Sequence, residues 1–147
     1  ISGTTALSAA KHMPDIRLVA TIGSPCDPTA IIEKFRRNGD IAESADGAVI
    51  NVLGTPHHFG LHFVPDMLSQ TVAEDTAALA CKLMVFHAPN DRIVSYDNAE
   101  KIARRAVNAD ADLYRLDDAA THLFENRADD ALQVANTILN WCRNNLA

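Results

Sequence analysis

No stretch of this 147-residue chain approaches the roughly 20 consecutive apolar residues that a membrane helix requires, although 48% of its residues are hydrophobic. The apolar content is therefore expected in a buried core rather than in a bilayer. Basic residues are in the minority: 13 Lys and Arg stand against 19 Asp and Glu, for a net charge of −6, and they are dispersed. That balance argues against a nucleic-acid surface, which needs clustered positive charge. Small molecules are the expected class of partner. Cysteine is scarce, and Cys26, Cys81 and Cys142 form an odd number with neither metal-binding nor redox spacing. A disulfide framework is not expected, and a reducing compartment, the cytoplasm, is. Internal repeats and low-complexity segments are absent. So are an initiator Met and a charged-then-apolar leader, and no secretory signal is expected. The length suits one domain over residues 1–147.

Short apolar runs alternate with helical patterns, the signature of an α/β fold. An Ala-rich segment, 4–12, reads as a short helix stopped by Pro14, and 16–22 as a strand buried on both faces and closed by Gly23-Ser24-Pro25. Asp27 as N-cap and Pro28 in the first turn start a helix with Ile31, Ile32 and Phe35 on its apolar face, and Asn38-Gly39 ends it. Residues 49–53, the turn 54–56 and residues 57–61 read as a β-ribbon or lid, within an insertion at 46–72. A helix is expected from Pro65 to 72, and 75–81 as the approach to a central strand at 83–86. Ser95 is expected to cap a helix that runs to about 107 and buries Ala99, Ile102, Ala103 and Ala106. A short strand at 113–116 and a last helix at 128–144 complete the pattern.

The most informative stretch is KLMVFHAPNDRIV, residues 82–94. Its apolar run and Pro-Asn turn signal describe a buried parallel strand and the loop leaving its C-terminal end. Asp91 stands in that loop, where open α/β sheets place ligands. Further on, THLF places His122 after the strand at 113–116 and before the last helix. The order acid, helix, strand, histidine, helix is that of the second half of a Ser…Asp…His triad. Asp91 read alone is equally a turn-former satisfying its own backbone. His57, His58 and His62 lie close enough in sequence to suggest zinc, but no carboxylate or thiol completes a known spacing, and no metal is expected. Ser24 and Cys26 follow a strand without the small-residue helix start that a nucleophile elbow needs, and read as turn residues.

With HAPNDRIV as an acid loop of the pattern H-G-x-x-D-x-x-V and DDAATHLF as a histidine loop of the pattern G-A-D-H-x-F, the chain resembles the C-terminal half of an α/β-hydrolase of the esterase/lipase type. ATIGSPCDP and the ribbon DGAVINVLGTPHHFGLHFVPDM are similar, more narrowly, to hydrolases fused to or found near an osmotically inducible peroxidase domain. The resemblance implies a three-layer α/β/α fold with a mainly parallel sheet, here a partial fold lacking its N-terminal strands. It implies Asp91 as triad acid, His122 as base, His87 as a structural histidine, an acyl ester or thioester as substrate, and no cofactor. The chain departs from the family in having no G-x-S-x-G elbow. Ile1-Ser2-Gly3-Thr4-Thr5-Ala6-Leu7 resembles the tail of the elbow and the first turns of its helix, so the serine is expected immediately ahead of Ile1, with Ser2 at a family glycine position. The alternative is a catalytically silent α/β module that binds a ligand or a protein. A homodimer is expected through the exposed sheet edge at 16–22.

Overall fold

The computed structural model of the protein describes residues 2–122, 124 and 127–146. In chain order its elements are α1 (Ser2–Ala10), β1 (Leu18–Ile22), α2 (Pro28–Asn38), β2 (Ile41–Ser44), β3 (Gly47–Val52), β4 (Thr55–Gly60), α3 (Phe63–Ser69), α4 (Val72–Ala77), β5 (Lys82–His87), α5 (Asp97–Arg105), β6 (Ala111–Arg115) and α6 (Ala128–Leu146). They form two compact units, Ile1–Cys26 with Val72–Ala147, and Asp27–Thr71.

The first unit is a three-layer α/β/α sandwich built on a parallel sheet in the order β1-β5-β6. β5 is central, which is why its sequence shows no alternation: Leu83 to His87 are all buried. Successive residues of β5 point to opposite faces. Leu83 and Val85 pack with Leu7 and Ala10 of α1, Val72 of α4, and Ala99 and Ile102 of α5. Met84 and Phe86 face the other way, onto Val134 and Trp141 of α6 with Leu116 and Ala120. The three-layer α/β architecture expected from the sequence is thus the one observed. A buried carboxylate, Asp75 on α4, joins this layer to α1 by accepting from Ser8 Oγ at 2.5 Å and from Lys11 Nζ.

The second unit is an antiparallel meander, β2-β3-β4, with α2 and α3. Ile32, Ala48, Ile50, Val64 and Met67 form its core, and Phe59 stacks on Phe63 with ring centroids 4.0 Å apart. Asp27 caps α2 as expected, accepting from Ala30 N at 3.1 Å, and Gly39 closes it at φ 74, a left-handed conformation that glycine adopts without strain.

Several expected boundaries differ. The meander begins one strand earlier than the pattern suggests, because β2 is short and mostly exposed and has little apolar periodicity. Its hairpin turn sits at Leu53-Gly54, both with positive φ, rather than at residues 54–56. The helix expected from Pro65 to 72 divides into α3 and α4, with α3 starting two residues before Pro65, which occupies its first turn. Ser95 does not cap α5. Its hydroxyl donates to Asp97, and Tyr96 stands at the N-cap without a side-chain bond. β6 lies at 111–115 rather than 113–116 and is more exposed than expected, with Leu113 at 39%, because it is an edge strand.

Candidate active site

Parallel strands send all their C-terminal loops to one edge of the sheet, and the register aligns those ends: Ile22 pairs with Phe86, and Phe86 with Tyr114. Three loops therefore leave side by side, after β1, β5 and β6. The first carries Gly23, whose N–H donates to Phe86 O at 2.9 Å, so the ladder continues one residue past β1. The second is the acid loop. Asp91 N–H donates to Ala88 O at 3.2 Å, and Asp91 Oδ1 accepts from Ile93 N at 2.8 Å and Val94 N at 2.9 Å. One oxygen thus closes the turn, and the other points out of it.

The third loop carries the histidine. Leu116 N–H donates to His87 O at 2.9 Å, Asp117 Oδ1 accepts from Ala119 N at 2.9 Å in an Asx turn, and Asn90 Nδ2 reaches across from the acid loop to Asp118 O at 2.7 Å. Anchored this way, His122 Nδ1 donates to Asp91 Oδ2 at 2.7 Å, although the residues are 31 positions apart. The Asp91 side chain is wholly buried, whereas that of His122 is 21% exposed, so the imidazole bridges the interior and the surface. Burial is the largest influence on the Asp91 carboxyl and pushes its pKa up, but hydrogen bonds from His122, His87 and the Val94 N–H outweigh it. The carboxyl is held well below the usual carboxylate range. The group facing His122 is therefore an anion at neutral pH, which favours the Nδ1–H tautomer and leaves Nε2 as the basic nitrogen.

Sequence reasoning had not assigned two neighbours to the site. Gly23 read only as the end of a strand, yet a β-carbon there would stand 3.0 Å from His122 Nδ1 and 3.5 Å from Asp91 Oδ2. Asn90 read as part of a turn signal, and its bond to the histidine loop depends on the register of β5 against β6. Other singled-out residues lie elsewhere. Ser24 is buried, with its hydroxyl on Pro25 O at 3.3 Å. Cys26 is buried too, with Arg105 Nη1 on its sulfur and its own N–H on Asn98 Oδ1. Ser2 is the first residue of α1. Among the described residues, His57, His58 and His62 belong to no group of three or more His, Cys, Asp or Glu that could hold a metal ion, and no helix is long and apolar enough to cross a membrane.

Solved structures of similar fold cover nearly the whole chain. The esterase domain of a Rhodothermus marinus protein superimposes with a TM-score of 0.82 at 28% identity, covering 99% of this chain and 58% of that one. The fold is that of the α/β-hydrolases. The ferulic acid complex of Est1E from Butyrivibrio proteoclasticus matches with a TM-score of 0.69 at 13% identity, over 98% of this chain and 56% of its own. Mouse α/β hydrolase domain-containing protein 10 matches with a TM-score of 0.69 at 17% identity, over 99% and 59%. This chain thus spans under two-thirds of the length of each of these hydrolase-fold structures. No family model and no curated protein matches the sequence.

Proposed function

We propose that the chain supplies the acid and base of a serine hydrolase acting on esters, thioesters or similar acyl compounds. The observation that carries this reading is the 2.7 Å bond between Asp91 Oδ2 and His122 Nδ1 at the C-terminal edge of the sheet. In the proposed reaction His122 Nε2 takes the proton of a serine hydroxyl as its oxygen bonds to the acyl carbon. The imidazolium returns that proton to the departing alkoxide or thiolate. Water, deprotonated by the same nitrogen, then releases the acid and regenerates the serine. Asp91 keeps Nδ1 protonated and offsets the charge on the ring throughout. The esterase named among the similar structures supports ester hydrolysis as the chemistry.

The nucleophile is proposed to stand immediately ahead of Ile1, on the resemblance of residues 1–7 to the segment just past the serine of a hydrolase elbow. The narrower likeness to hydrolases associated with an osmotically inducible peroxidase domain rests on ATIGSPCDP and the ribbon sequence. We place the protein in the cytoplasm, where the unpaired Cys26, Cys81 and Cys142 remain thiols.

The test joins gene and kinetics. A coding sequence with Gly-x-Ser directly upstream of Ile1 should yield a protein that hydrolyses p-nitrophenyl esters. Asp91→Asn should lower kcat by about 10⁴-fold and His122→Ala by at least as much. The 147-residue chain alone should show no such turnover. Hydrolysis by the longer protein that survives His122→Ala would overturn the assignment.

A further inference from the structure

His87 occupies a position where packing alone would call for hydrocarbon. The four preceding residues of β5, Leu83 to Phe86, are buried and apolar, and His87 is fully buried in line with them. Its Nδ1 is buried without a hydrogen-bond partner, a penalty that leucine or phenylalanine would not incur. What the imidazole adds is the other nitrogen. Nε2 lies 2.8 Å from Val94 O, and because a carbonyl oxygen only accepts, the ring hydrogen is on Nε2. That same N–H stands 3.5 Å from Asp91 Oδ2, the oxygen that receives His122.

These bonds close a circuit around the acid. His87 Nε2–H holds Val94 O, Val94 N–H holds Asp91 Oδ1 at 2.9 Å, and the remaining carboxylate oxygen sits between two imidazoles. The backbone of the same residue anchors the opposite loop, since His87 O accepts from Leu116 N at 2.9 Å where the chain turns toward His122. Tyr96 packs edge-on to the His87 ring, with centroids 5.8 Å apart, and restricts its rotation. A single residue thus bonds to both loops, to one through its side chain and to the other through its backbone.

We infer that His87 is a positioning residue for the Asp91–His122 pair: its Nε2–H fixes the acid loop through Val94 O and stands 3.5 Å from the Asp91 oxygen that receives His122. The consequence for turnover rests on the hydrolase reading, but the structural claim does not.

The test uses imidazole proton and nitrogen NMR on the chain, with a backbone amide spectrum to report folding. Wild type should show His87 with its hydrogen on Nε2 and a slowly exchanging, downfield His122 Nδ1–H. His87→Leu, which fills the space without a donor, should abolish the slow exchange of that proton. His87→Gln, which keeps an N–H donor, should preserve it. A His87 hydrogen on Nδ1 would overturn the proposal, as would His122 exchange unchanged in His87→Leu. Should the leucine variant fail to fold, the wild-type tautomer and the glutamine variant decide the matter, and loss of the resonance in the latter counts against it. In the longer, serine-bearing protein His87→Leu should lower kcat by about tenfold with KM unchanged. Intact NMR signatures in a protein without esterase activity would refute the hydrolase reading and uphold this one.

Discussion

Gly23 and His122 stand so close that a β-carbon on the glycine would lie 3.0 Å from Nδ1 and 3.1 Å from Cε1 of the imidazole. The glycine is also at φ 58, in the left-handed region where side chains are strained. Gly23→Ala is therefore expected to destabilise the protein by about 1–2 kcal/mol from the backbone alone. It should also push the ring off Asp91. Loss of the downfield His122 Nδ1–H resonance checks the second effect separately from the first, which urea unfolding measures.

The lowered pKa of Asp91 makes stability depend on pH with a definite sign. A carboxyl depressed in the folded state contributes stability that is fully present above its unfolded value, near 4, and is lost as pH falls through its folded value. Urea midpoints of the wild type should therefore fall between pH 6 and pH 3. Those of Asp91→Asn should fall less over the same window. Parallel curves would mean that the carboxylate is not stabilised as the geometry requires.

Lys11 forms an ion pair with Asp75, a residue only 2% exposed. Removing the cation leaves a buried anion whose neutral partners, Ser8 among them, offset its charge only in part. Lys11→Met should lower stability by about 2 kcal/mol, less than for a fully buried pair because the lysine is partly solvated. Since the pair ties the residue just past α1 to α4, the loss should appear as faster amide exchange at the end of α1.

For the 147-residue chain on its own, we propose self-association through the β1 edge, which lies at one side of the β1-β5-β6 sheet. Ile22, 42% exposed on that strand, is the probe, because Val19 faces the core beneath α1. Light scattering should give a dimer at micromolar concentration, and Ile22→Lys should shift it toward monomer without unfolding. A wild-type monomer under the same conditions contradicts the proposal.

Much of this architecture is local and was legible in the chain itself. The short apolar run of β5, bounded by a Pro-Asn turn signal, read as a strand covered on both faces. Asp27-Pro28 and Gly39 marked both ends of α2 by capping chemistry, and the last helix, expected at 128–144, is α6. Asp91 and His122 stood out because each comes after a strand in an order that a known triad shares. Ser95 misled, because even a good capping residue can bond locally elsewhere, and its hydroxyl is taken by Asp97. β2 was missed because an exposed edge strand has no buried face to impose a pattern.

Only the tertiary structure decided what surrounds the pair. Parallel register places the ends of β1, β5 and β6 on one edge, and so brings Gly23, His87, Asn90 and Asp91 around a histidine far along the chain. Residue order singles out an aspartate and a histidine. Their separation, their shared hydrogen and the burial that gives the bond its effect on pKa are properties of strand pairing between distant segments, which no local pattern encodes.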